Sequence, residues 1–273
     1  MKNKAVVPSV IFTVLTAVTV ILRILQSAAM IDPQTGFYKP SYEIFEPIFL
    51  VTLFGLIVAY FIIAMLTVNY PPLENHFVKS KSLGTVTLIY AVITVARCVE
   101  YFVTAGEMEF IEYILIVDFA MFGAFLIMYS VFLLQGTRPP AELFLIPSIF
   151  GAVRFGVTFV SYVDVIKVTD IILTITMLGM SMMFWHMFAR INAGIAAKTT
   201  VKMLFGFGFP AALLAIACSV PKYYMNWFLP ETSIHISEHI SYFDCASGIY
   251  IFLFLIFTLT LRIVNPYETV DEE

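Results

Sequence analysis

The chain has 273 residues, 60% hydrophobic and only 12% charged, with a formal net charge of −4. A soluble domain averages about 25% charged and about 45–50% apolar residues, so the bilayer is the solvent for most of this chain. No basic tract is present, which argues against a nucleic-acid partner. Cys98, Cys218 and Cys245 are too few for a disulfide scaffold, and the intervals between apolar runs leave no room for a soluble catalytic domain.

Eight apolar runs follow one another, at about 5–26, 46–66, 83–104, 110–134, 143–163, 168–191, 200–220 and 243–264. Each is close to the ~20 residues that a helix needs to cross a ~30 Å hydrocarbon core. The runs are continuous rather than alternating, so helices are the expected spanning form. The expected fold is therefore all-α: a polytopic transmembrane helix bundle of eight spans, making one integral membrane domain over residues 1–273. The first run follows Lys2 and Lys4 and ends near Ser27-Ala28-Ala29, the order of a signal peptide. Its apolar part is longer than the ~7–15 residues of such a signal, and Arg23 lies near its end, so it is read as a retained signal-anchor.

Lysine and arginine set the orientation. Lys2, Lys4, Lys79, Lys81, Arg138, Arg190, Lys198, Lys202 and Arg262 fall on one side, against Lys39, Lys167 and Lys222 on the other. The richer side is read as cytoplasmic, with both termini inside and the protein in the plasma (cytoplasmic) membrane. Two loops on that side, 69–76 and 135–140, carry paired prolines that end helices. The acidic tail 267–273 is read as a solvated end. Tyr223, Tyr224 and Trp227 are placed just beyond the seventh span, where an aromatic belt belongs.

The third run contains Thr94-Val95-Ala96-Arg97-Cys98-Val99-Glu100-Tyr101, and Asp118 follows in the fourth. A charge in mid-span costs about 2.5–3.5 kcal/mol on insertion scales. Arg97, Glu100 and Tyr101 share one helix face by their spacing. They form either a structural ion pair or part of a ligand-binding set with Asp118 and Arg154. A weak repeat runs through the chain. Odd spans carry Arg23, Arg97 and Arg154 toward one end, and Lys222 follows the seventh; even spans begin near Glu46, Glu112, Asp170 and Asp244. This suggests four helical hairpins whose opposite charges gather at one level. Arg23 is expected to snorkel to the headgroups.

Three further features bear on chemistry. His235-Ile236-Ser237-Glu238-His239 has the His-x-x-Glu-His form of inverted zinc peptidases, and two histidines four apart on a helix suit zinc. Zinc at His235, Glu238 and His239 is thus the one cofactor the sequence suggests, although the short pattern also fits an interfacial helix. Met177, Met180, Met182, Met183 and Met187 crowd the sixth span; spread around the helix, they read as packing rather than a copper path. Gly206-Phe207-Gly208-Phe209-Pro210 marks a kink or a close helix contact.

The leading expectation is a multi-pass membrane protein that binds or transports a small polar or anionic solute through Arg97, Glu100, Tyr101, Asp118 and Arg154. Its partners are the lipid bilayer and that solute. One alternative is a sensory or assembly subunit without transport, acting through a protein partner. The other is a zinc-dependent membrane hydrolase built on the histidine loop; nothing outside that loop calls for an enzyme.

Overall fold

The computed structural model describes residues 3–32, 37–67, 79–104, 110–161, 168–195, 199–229 and 240–264. Nearly all of them are helical. The elements are α1 (Asn3–Leu25), α2 (Phe45–Thr67), α3 (Lys81–Thr104), α4 (Phe110–Gln135), α5 (Leu145–Ser161), α6 (Val168–Asn192), α7 (Thr200–Phe228) and α8 (Tyr242–Val264). All eight fall in segments long and apolar enough to cross a bilayer. The protein is an all-α helix bundle and a multi-pass membrane protein. Among the described residues, extended pairing is confined to one bridge, Ile31 to Tyr38, in the α1–α2 connection.

The eight helices do not share burial equally. α7 is the most buried and α2 the least. α7 contacts α1, α2, α6 and α8, so it is the post around which the others stand. Small residues let it do so. A Cβ on Gly248 of α8 would lie 2.9 Å from the Ala212 carbonyl oxygen of α7, so the two backbones meet where only glycine fits. α3–α4, α5–α6 and α7–α8 pack as hairpins, whereas α1 and α2 lie chiefly against α7. Large apolar side chains such as Val10, Val14, Val18, Val51, Val58 and Leu66 point outward, as lipid-facing positions should.

One boundary differs clearly from the sequence reading. α7 continues to Phe228, so Lys222, Tyr223, Tyr224 and Trp227 lie within it rather than beyond it. Apolar content falls after Val220, but the helix continues along the bundle end, where Lys222 Nζ donates to the Ile240 carbonyl at 2.5 Å. Pro210 and Pro221 sit inside an unbroken helix. The space beside Gly206 is filled by the Phe61 ring of α2, and Gly208 lies against Leu255 and Phe184, so both glycines serve close packing.

An aromatic block fills the centre. Phe122 and Phe150 stack with centroids 3.9 Å apart, and Tyr90 and Tyr250 at 4.5 Å. Trp185, Phe119 and Phe243 close around them, all buried. This block is the floor beneath the charged layer.

Candidate functional site: a charged layer at one end of the bundle

The ends of α1, α3, α5 and α7 meet the starts of α2, α4, α6 and α8 at one end of the bundle. Arg23, Arg97 and Arg154 gather there, and each has a carboxylate partner. Arg154 of α5 donates through Nη2 to Asp244 Oδ1 of α8 at 2.6 Å. The other oxygen, Asp244 Oδ2, accepts the Ser241 backbone N–H at 2.7 Å and the Ser241 hydroxyl at 3.1 Å. Ser241 is the N-cap residue of α8 and Asp244 its third helical residue, so this is the back-bonding half of a capping box. One buried carboxylate thereby starts α8, closes the helix end and neutralises a guanidinium on another helix. Arg154 also stands 4.9 Å from the Phe243 ring centroid and 5.7 Å from that of Phe119.

Arg23 does not snorkel. It is buried and pairs with Asp170 at the start of α6, and its Nη1 donates to Gln26 Oε1 at 2.6 Å. Gln26 in turn donates to the Tyr38 hydroxyl, and Thr169 bonds Glu46. A counter-charge on the neighbouring α6 makes inward pairing better than reaching for headgroups. The network ties the α1–α2 connection down over α6. Burial pushes the Tyr38 hydroxyl up to about 12.

Arg97 belongs to a third group. It reaches Glu100 on its own helix at 2.6 Å, covers the Tyr101 ring at 4.2 Å and faces the Tyr242 ring of α8 at 5.9 Å. Tyr242 also hydrogen-bonds Glu100. Glu100 is 40% exposed, so this group forms the rim of the layer. The Arg97 Nε–H is nevertheless buried and without a hydrogen-bond partner.

Asp118 of α4 differs from all of these. It is 3% exposed, and its Oδ2 has no hydrogen-bond partner. The charge that acts on it is the Arg154 guanidinium, which is already committed to Asp244. The next residue, Phe119, touches Tyr101 on one side and Phe243 on the other, with centroids 5.6 and 4.9 Å away. Tyr101 and Arg154 thus both contact the Phe119 ring, beside Asp118. Arg97 and Glu100 join this set through Tyr101.

The remaining sequence features fall elsewhere. His235, Glu238 and His239 lie outside the described residues. Among the described residues, no group of three His, Cys, Asp or Glu side chains could hold a metal ion. Cys98, Cys218 and Cys245 are free thiols, and Cys98 Sγ donates to the Ile116 carbonyl at 3.5 Å. Met177 and Met187 are buried in the core, as the packing reading expects. Sequence reasoning missed Tyr242 and the direct pairing of Arg154 with Asp244. The Ser241-x-x-Asp244 spacing was a legible sign of the cap, but not of the partner across the bundle. No protein-family model, curated protein or solved structure matches this chain.

Proposed function

We propose that the charged end of the bundle is a binding site for a small polar solute, zwitterionic or anionic, with Asp118 at its base and Arg97, Glu100 and Tyr101 at its rim. The observation that carries this reading is the Asp118 carboxyl group: buried and left with an unpartnered oxygen in a layer whose three arginines each have a counter-ion of their own. Leaving such a group unsatisfied costs about 1–3 kcal/mol, and more when it is charged. Intramembrane carboxylates of this kind are retained for function. Asp118 supplies an acceptor and Arg97 Nε a donor; a solute carrying an ammonium or hydroxyl group beside an anionic group matches both. Arg154 acts from behind, holding the local charge balance through Asp244 rather than gripping the solute directly.

The lysine and arginine bias supports an outer-face position for this end, with both termini in the cytoplasm. The buried floor of Tyr90, Phe122, Phe150, Trp185 and Tyr250 supports binding first; passage through the bundle requires those rings to part. The test is thermal unfolding of the purified protein with amino acids, short monocarboxylates and inorganic phosphate. A saturable rise in Tm that Asp118→Asn and Arg97→Gln each abolish supports the reading. A folded wild type that none of these compounds stabilises contradicts it.

A further inference from the structure

A second polar cluster lies at the other end of the bundle, on the outer face where α5 and α6 pack together. Of the α6 side chains described, His186 alone is exposed, although Phe184, Trp185, Met187, Phe188 and Ala189 around it are buried. Within this apolar stretch, α6 therefore presents a polar aromatic ring on its outer face. The ring is held: His186 Nδ1 and Ser148 Oγ of α5 are 3.0 Å apart. With the Ser148 hydroxyl donating, Nδ1 is the acceptor and the ring hydrogen sits on Nε2. Nε2–H then faces away from Ser148, toward lipid, where a donor has no water to satisfy it.

Depth decides what can satisfy it. α6 has 25 residues, so it is about 37 Å long and exceeds a ~30 Å hydrocarbon core by about 3–4 Å at each end. His186 lies six residues before Asn192, about 9 Å from the helix end, which is about 5 Å below the hydrocarbon boundary. That is within reach of the glycerol ester oxygens of a phospholipid. Arg190 is one turn nearer the end on the same face and sits at headgroup level. α6 closes just after it, with the Gly194 φ at +81° and the Ile195 N–H bonded to the Arg190 carbonyl at 3.0 Å.

We propose that Ser148, His186 and Arg190 form a binding site for an anionic phospholipid, with its phosphate on Arg190, an ester oxygen on His186 Nε2 and its chains along the outer face of α5 and α6. The site is independent of the solute reading and lies at the opposite end of the molecule. The test uses the whole purified protein in detergent, titrated with phosphatidylglycerol or phosphatidylcholine of identical chains, with bound lipid counted by native mass spectrometry. Wild type is expected to prefer phosphatidylglycerol, and Arg190→Gln to lower that preference about five-fold, the effect of one cation at a membrane surface. Arg190→Gln leaves the Ser148–His186 bond in place, so its fold is preserved; His186→Phe should weaken retention of both lipids. Equal binding of the two lipids by wild type, or an unchanged preference in folded Arg190→Gln, would overturn the proposal. So would stabilisation by inorganic phosphate alone equal to that by phosphatidylglycerol.

Discussion

Replacing Asp244 with asparagine leaves the Arg154 guanidinium buried without its counter-charge. An ordinary hydrogen bond between membrane helices is worth about 0.6 kcal/mol and at most about 1.7 kcal/mol. Breaking a buried ion pair by removing one partner costs about 3–5 kcal/mol, because the remaining charge stays in the interior. The Arg154–Asp244 pair belongs to the second class, since both side chains are largely buried and Asp244 accepts three hydrogen bonds. Asparagine retains an acceptor for Ser241, so the cap survives and the loss reports the charge. Asp244→Asn should therefore destabilise by about 3 kcal/mol or more. Adding Arg154→Leu should restore most of it, because the stranded cation is gone. The assay is reversible unfolding of both single variants and the double variant in mixed micelles, read as a double-mutant cycle. A loss near 0.6 kcal/mol for Asp244→Asn, or single effects that simply add, would refute the charge-pairing argument.

Other consequences follow the same physics. Asp118→Asn should leave stability unchanged or raise it by up to about 1–2 kcal/mol while removing the solute response, since it replaces a buried carboxyl group that has an unpartnered oxygen; chemical unfolding beside the solute titration measures both. Glu100→Gln should cost less than about 1 kcal/mol, because Glu100 is 40% exposed and water screens the pair. Gly248→Leu should destabilise by about 1–3 kcal/mol by pushing α8 off the Ala212 carbonyl, and a small change in Tm would contradict the close contact. Tyr38 titrates from an ordinary value of 10.0 raised to about 12. A raised value means its stabilising contribution is complete below pH 10 and is lost as pH rises toward 12. The wild type should therefore lose more stability over that interval than Tyr38→Phe, as alkaline unfolding curves will show.

The spans were legible because membrane helices announce themselves by length and apolar content, with no neighbour required. The layer of charge at one end was also legible, since Arg23, Arg97, Arg154, Asp170 and Asp244 recur at matching ends of successive runs. Their pairing was not. Arg23 meets Asp170 on α6 and Arg154 meets Asp244 on α8, partners chosen by which helices α7 brings together. No local spacing records that choice. Arg23 looked like a snorkelling residue because its distance from the span end allowed it; the counter-charge that turns it inward lies far along the chain. The α7 extension past Val220 was missed because hydropathy ends there, while helical hydrogen bonding continues to Phe228. Arg97 and Glu100 were readable as a pair because helix geometry alone joins residues three apart. The open oxygen of Asp118 became visible only once the carboxylate partners of the three arginines were known.

Cysteine accessibility tests the inward, ligand-reachable placement of Asp118 most directly. In a background where Cys98, Cys218 and Cys245 are alanine, Asp118→Cys is compared with Val117→Cys, its exposed lipid-facing neighbour. Thiosulfonate reagents carrying a charge react with thiols that meet water and not with thiols in acyl chains. The account predicts labelling at position 118, slow because that side chain is 3% exposed and is reached only when the rim opens, and none at 117. Labelling at 117 with none at 118, or at neither position, would contradict it.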